Sequence, residues 1–388
     1  MKSIEDLLGV FFCKQYKIDP NLVYNIEWVN AQTLIVPGRF DLIAKINYIK
    51  AYDTGVGLKW AEELYRKHIE AFSQGREPGN DEKNSIDAYV KVFNQLISDI
   101  KTNGFSENIS VIPVGAKNEI MDGAHRVSIA AYFNLKLPII RFENLHANNN
   151  YEFFENQLLD HKYLDCMAYE YVKLDENSHC ACVWPTANDP KKIEQMETLM
   201  NKEGQIVYKK KIELSYNGIR NLMIQVYSGF DWMGGIDTHF SGASGKADKC
   251  YVPNNPMYIY VLKVDTLEHT LELKAKIREV FKIGNHSIHI SDTHDEALQI
   301  SQMLLNDESI FYLNNGKPDY DIDFLKRILK LGDEKICLTD SALVCDCTLA
   351  MYGLKKADSL VCVGSSLPDI DYRKNKKFRN YSVPIKKA

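Results

Sequence analysis

The chain has 388 residues, 45% hydrophobic and 26% charged, with a formal net charge of -5 and a pI near 6.1. That is enough apolar chain for two or three packed domains, and the acidic balance argues against general nucleic-acid binding, whose affinity comes largely from basic residues neutralising phosphate. No run approaches the ~18 apolar residues of a membrane span. Nine cysteines, an odd number without tight zinc spacing, and an N-terminus "MKSIEDLLGVFFCKQY" without a long apolar signal core predict reduced thiols in a cytoplasmic protein.

Residues 1–30 read as a helix and an entry segment. Leu42, Ile43, Ile46 and Ile49, then Trp60, Leu64, His68 and Phe72, recur at helical spacing and predict two helices between 39 and 75. "GREPGNDEKNS" is a polar loop punctuated by Gly and Pro, and an amphipathic helix over 86–100 follows. The period then shortens. "ISVIPVG" and "EIMDG" are strand candidates joined by a turn at "AKN", followed by a helix over 127–133 and a strand at "KLPIIRFE". The polar "HANNN" ends this module near residue 148.

The second half offers a strand at "HCACVWPTA", a helix over 191–200 and a strand at "QIVYKKKIEL". A long Gly-rich loop, "SGFDWMGGIDTHFSGASGKADKC", and a buried strand at "MYIYVLKV" follow. A helix over 271–281, a strand at "SIHI", a helix over 293–305 and a closing segment of mixed pattern complete the chain. The expected class is α/β (α+β) in two domains, 1–148 and 149–388.

The densest chemistry lies in "IMDGAHRVSIAAYF", a corner between a strand and a helix. Gly123 can take the positive φ of a tight turn. The first amides of the helix, from Ala124 on, are free to bind an anion. Arg126 offers a planar fork for phosphate oxygens, and His125 a hydrogen bond or a proton. Asp122 suits a metal contact or the orientation of His125; it suits equally well an ordinary N-cap, with Arg126 in an ion pair. Because capping leaves His125 and Arg126 without a role, the corner is read as a phosphate site.

This corner resembles that of the ParB/sulfiredoxin superfamily, whose members carry a Gly-x-His-Arg turn between a strand and a helix. The resemblance spans residues 30 to 145. Sulfiredoxins place their reactive cysteine immediately before His-Arg, where this chain has Ala124, so their chemistry is excluded. ParB proteins carry a more arginine-rich turn followed by a helix-turn-helix, which the acidic α/β continuation here does not match. The branch of free-serine kinases, with an Asp-x-x-His-type turn, is closest. It implies ATP and Mg²⁺ bound at Asp122 to Arg126, and phosphoryl transfer to a small hydroxyl compound such as an amino acid, sugar or alditol. Sugar or surface-polysaccharide metabolism is the setting it suggests.

Phosphoryl transfer needs positioned phosphates, a metal ion and a carboxylate for the hydroxyl proton. Glu119, three residues before Asp122 on the incoming strand, and Glu77 in the polar loop are candidate carboxylates. Lys83 and Ser85 in the same loop are candidate nucleotide contacts. Arg39 and Asp41 are candidate substrate contacts, although with Lys45 they stand at i, i+2 and i+6 and do not share one helix face.

Three features mark the second half. Gly242, Gly245 and Lys246 lie in the Gly-rich loop without the spacing or the Ser/Thr of a Walker A motif, leaving Lys246 as an anion contact for substrate. His286, His289, Asp292, His294, Asp295 and Glu296 crowd eleven positions. A capping box at Thr293 and Glu296 explains the acids better than a metal site, and His289 and Asp292 are expected to face substrate at a strand end. Finally, "DSALVCDCTLAMYGLKKADSLVCV" resembles a nucleotidyltransferase pattern with Asp358 present but Leu360 in place of the second carboxylate, and neither Asp340 nor Asp346 replaces it. That implies a non-catalytic relative. A nucleotide sensor that turns nothing over, and a ParB-like nuclease or DNA binder, remain the alternatives to a kinase.

Overall fold

The computed structural model describes residues 3–76, 84–105, 111–333, 341–344, 346–364 and 378–382. Two short helices, α1 (Ile4–Leu8) and α2 (Val10–Gln15), open the chain, α1 started by a capping box between Ser3 and Asp6. Then come β1 (Glu27–Asn30), α3 (Asp41–Thr54), α4 (Leu58–Ser73), α5 (Ile86–Asn103), β2 (Ile112–Val114), α6 (Ala124–Tyr132) and β3 (Lys136–Arg141). β3 is the centre of a small sheet, antiparallel to β1 and parallel to β2. α3 packs against both α4 and α6, so almost every residue from Asp41 to Ile49 is buried. This burial on all sides explains why α3 shows little polar stripe.

The two predicted helices between 39 and 75 are present, and α6 begins earlier than expected. "EIMDG" is not a strand: only Ile120 pairs, as an isolated bridge to Val114. The three-residue β2 leaves the segment after it to turn back on itself.

The second half continues with α7 (Tyr151–Asn156), α8 (His161–Leu174), β4 (Ser178–Val183), α9 (Pro190–Glu203), β5 (Gln205–Ile212), α10 (Tyr216–Val226) and α11 (Ser241–Cys250). β6 (Met257–Lys263), α12 (Leu267–Phe281), β7 (Ile288–Ile290), α13 (His294–Leu304) and α14 (Asp307–Asn315) follow. α15 (Ile322–Asp333), β8 (Ser341–Leu343), α16 (Asp346–Met351), β9 (Leu360–Gly364) and β10 (Phe378–Ser382) close it. Strands β5, β6, β4 and β7 form an antiparallel sheet in that order. Side chains alternate across it. Ala181, Val183, Ile288 and Ile290 join α9 and α12 in one apolar layer, while Cys180 and Cys182 face the opposite layer with α8, α10 and α13. A third small sheet orders β10, β9 and β8.

The expected Gly-rich loop is in part a helix. Its first half makes two 3-10 turns, Asp231–Met233 and Ile236–Thr238, and its second half is α11. Gly242 permits this, because a Cβ there would run into the Trp232 carbonyl and the Met233 backbone. The chain therefore folds against itself at a point where only glycine fits.

One apolar cluster runs through both halves, from Ala31 and Phe40 through Phe154 and Tyr171 to Leu222 and Leu325. Backbone crosses residue 148 as well: Asn149 N donates to Gly38 O at 2.7 Å and Phe40 N to Asn149 O at 3.0 Å. The Phe40 ring stacks on Tyr208 at 6.3 Å. No helix among the described residues is long and apolar enough to cross a membrane.

Candidate functional site

The chain reaches the corner through a tight turn in which Gly115 N donates to Glu119 O at 2.7 Å and Met121 N to Pro113 O at 2.8 Å. Gly123 adopts a left-handed φ of 82° and α6 starts with no side-chain cap. Asp122, the alternative N-cap, bonds its own neighbour instead: its Oδ1 accepts from Gly123 N at 2.6 Å. The amides of the first turn of α6 thus carry the positive end of the helix without a side-chain acceptor. Arg126 Nη2 stands 3.5 Å from Asp122 Oδ2, with the two side chains 25% and 52% exposed. An ion pair this open to water contributes about 0–1 kcal/mol.

His125 is held from behind. Its Nε2 lies 2.8 Å from the Tyr65 hydroxyl, and its ring stands edge-on to Phe93 with centroids 4.5 Å apart. Tyr65 itself stacks on Tyr48 at 5.0 Å and Phe93 at 5.1 Å. These contacts fix the orientation of the ring.

Beneath the corner lies a buried ionic cluster. Arg39 makes a two-pronged contact with Asp41, Nε to Oδ1 at 2.8 Å and Nη2 to Oδ2 at 2.9 Å, and its Nη1 donates to the Ile120 carbonyl. Lys45 Nζ donates to Asp41 Oδ2 at 2.9 Å and to His68 Nε2 at 3.1 Å. His68 Nδ1 donates to the Tyr65 carbonyl at 2.6 Å, which fixes the tautomer from both sides. All four side chains are buried. Burial alone would raise the Asp41 carboxyl, but Arg39 and Lys45 outweigh it and hold it well below the usual carboxylate range. Burial, reinforced by Lys45, pushes the His68 imidazole well below its ordinary value, so it is neutral.

These observations reassign several expected residues. Arg39 and Asp41 are closed off from solvent, and with Lys45 they do converge on one point, because Arg39 precedes the helix and reaches back while Asp41 and Lys45 are one turn apart on it. Their reach to Ile120 ties the start of α3 to the turn that leads into the corner. Glu119 and Asp122 are not on a regular strand. The Glu119 carboxylate accepts from Lys117 N at 2.8 Å and lies 3.8 Å from His146. Ser85 caps α5, its Oγ accepting from Ala88 N. Glu77 and Lys83 lie outside the described residues, as does Asp340. Sequence spacing placed His68 on the inner face of α4, whereas Tyr65 gave no signal.

The second-half candidates form a separate cluster at the β7 edge of the four-stranded sheet. His289, paired across the ladder with Cys182, puts its Nε2 2.8 Å from Glu296 Oε1 and its Nδ1 3.3 Å from the Tyr227 hydroxyl. Thr293 does cap α13, its Oγ1 accepting from Glu296 N, but the Glu296 side chain does not complete a capping box. It bonds His289 and, through Oε2, Asp292 N at 2.7 Å. Asp292 is ion-paired with Lys274 at 2.5 Å. His286 lies on a 3-10 turn rather than in the strand. Burial alone would raise Glu296, but its bond to His289 brings it below the usual range. Burial drives the Tyr227 phenol far up, so it keeps its proton. Lys246 points from α11 into this cluster. Near the C-terminus, Asp346 is paired with Lys355 at 2.9 Å and the Asp358 carbonyl accepts from Arg327.

No group of three or more His, Cys, Asp or Glu side chains converges on a metal position among the described residues. A magnesium ion that arrives with a nucleotide needs only one or two protein carboxylates, phosphate and water filling its other positions, and the half-exposed Asp122 fits that requirement. No protein-family model matches the chain, and neither a curated protein nor a solved structure matches it.

Proposed function

We propose that the chain is a nucleotide-dependent phosphotransferase that binds ATP at the Asp122–Arg126 corner and acts on a small hydroxyl-bearing metabolite, in the manner of ParB/sulfiredoxin-type kinases. One observation carries the reading: α6 begins at a left-handed glycine with no side-chain cap, while an imidazole held by Tyr65 and a partly exposed guanidinium stand in the same turn. The amides and Arg126 receive phosphate oxygens. His125, oriented by Tyr65, donates a hydrogen bond to a phosphate oxygen. Asp122 is the residue that would hold Mg²⁺, which supplies charge neutralisation between phosphates. Arg39, through the Ile120 carbonyl, fixes the approach to the turn.

Calorimetry with ATP, ADP and CTP in the presence of magnesium tests this. The wild type is expected to bind at least one nucleotide, and the double variant His125→Ala/Arg126→Ala to bind at least ten-fold more weakly. Wild-type protein that binds no nucleotide sinks the reading. Glu119 is 8% exposed and already bonded to Lys117 N, which favours as a second reading a nucleotide-binding protein without turnover. ATP consumption with any member of a panel of amino acids and sugar alcohols excludes that second reading.

A further inference from the structure

Lys246 is only 8% exposed, yet its ammonium has no carboxylate within ion-pair distance among the described residues. Its Nζ donates to a single backbone carbonyl, Asn285 O, at 3.2 Å. It sits over the Tyr227 ring at 4.8 Å and near the Trp232 ring at 6.0 Å. Glu296, the acid of the neighbouring cluster, is committed to His289 and to Asp292 N. Its remaining charged neighbours, Arg278 and Lys249, are cations, and with burial they pull the ammonium below its usual range, against the opposing effect of Cys250. The Cys250 thiol is protonated, burial pushing it up to about 11, and its Sγ lies 3.8 Å from His286 Nδ1.

A buried ammonium facing other cations and neutral groups is unfavourable unless an anion joins it. Everywhere else in the described chain the buried cations Arg39, Lys45 and Lys274 have a carboxylate. Beside Lys246, the half-exposed Phe230 and Trp232 rings flank Tyr227 at 6.1 and 5.2 Å, and Tyr227 is locked through His289 to Glu296. Burial with a missing counter-charge, aromatic walls and a fixed hydrogen-bonding chain together describe a ligand site rather than packing.

We propose that Lys246 anchors a second ligand site, independent of the Asp122–Arg126 corner, which takes the carboxylate or phosphate group of a small molecule, and that Glu296 and His289 position Tyr227 as its wall. The site shares no residue with the corner. Lys246 supplies the charge, Trp232 stands beside it, and Tyr227 keeps the ammonium on its ring face.

The full chain, labelled with ¹⁵N at its histidine rings, is titrated at neutral pH with inorganic phosphate and, separately, with acetate. His289 lies one ring away from Lys246 and reports the event. A saturable shift of its ring nitrogens is expected with at least one anion, phosphate alone or acetate alone identifying the group recognised. Lys246→Met should weaken binding at least ten-fold, while Lys246→Arg, which keeps the charge, should retain it within a few-fold. Glu296→Gln, which loosens Tyr227 without touching Lys246, should reduce affinity several-fold. The variant His125→Ala/Arg126→Ala should leave the response intact, so failure of the corner and failure of this site are told apart. No saturable shift with either anion, or a shift that survives Lys246→Met, overturns the proposal.

Discussion

Asp41 is the residue on which the N-terminal half turns. Among the described residues it is the only acid set against two buried cations, and its carboxylate meets both. Asp41→Asn keeps the shape but leaves Arg39 and Lys45 under-compensated, so a loss of roughly 3–5 kcal/mol is expected by chemical denaturation. A loss below about 1 kcal/mol would mean that water reaches the cluster. His68 gives a second, independent test. Its folded value is depressed, so below about 6.5 the unfolded chain takes up a proton that the folded chain refuses. Stability should therefore fall as pH drops from about 6.5, with at most about 1.4 kcal/mol per pH unit from this group. His68→Gln, which still offers Lys45 an acceptor, should flatten that part of the profile. Wild type and variant falling in parallel would show that His68 titrates freely.

At the scale of an element, α6 depends on how it starts. Gly123 is left-handed, and a Cβ there would come within 2.6 Å of Ile112 Cδ1 and 2.8 Å of Arg126 Nη2. Gly123→Ala should cost about 1–2 kcal/mol of stability from the backbone alone. It should also push Arg126 out of the turn and weaken nucleotide binding. If affinity is unchanged while stability drops, Arg126 is not a phosphate contact. The residue types at this corner were readable in the sequence because a glycine, a histidine and an arginine at a helix start form a local pattern. That Asp122 leaves the helix uncapped was not, since capping depends on which amide its short side chain reaches, and several turn geometries serve the same sequence.

At the scale of the molecule, residue 148 is a polar break in the sequence but not in the core. The same apolar cluster contains Phe40, Ile112, Met167, Cys180 and Leu222, and Tyr151 packs edge-on against Tyr208 at 5.4 Å. A fragment ending at 148 would expose that surface to water, at about 25 cal/mol for each Å² uncovered. Thermal unfolding of residues 1–333 is expected to be a single transition, and the 1–148 fragment to lack a cooperative one. Two well-separated transitions would support a domain boundary at 148. Burial keeps the thiols of Cys180 and Cys182 protonated.

Local pattern alone pointed to the mixed α/β class, to two helices between 39 and 75 and one over 86–100, to strands at "HCACVWPTA", "QIVYKKKIEL" and "MYIYVLKV", and to a strand-to-helix corner at Asp122–Arg126. These follow from hydrophobic period and turn chemistry, which act between residues a few positions apart. Tertiary structure decided what lies far apart in sequence. It brought Tyr65 to His125, 60 residues away, and Tyr227 to His289, 62 residues away. It also turned a Gly-rich stretch into the helix that buries Lys246, and gave the Glu296 carboxylate a histidine instead of its own helix end. Periodicity specifies which face of an element is inward; it does not say which other face it will meet, because that choice is made by the whole core at once.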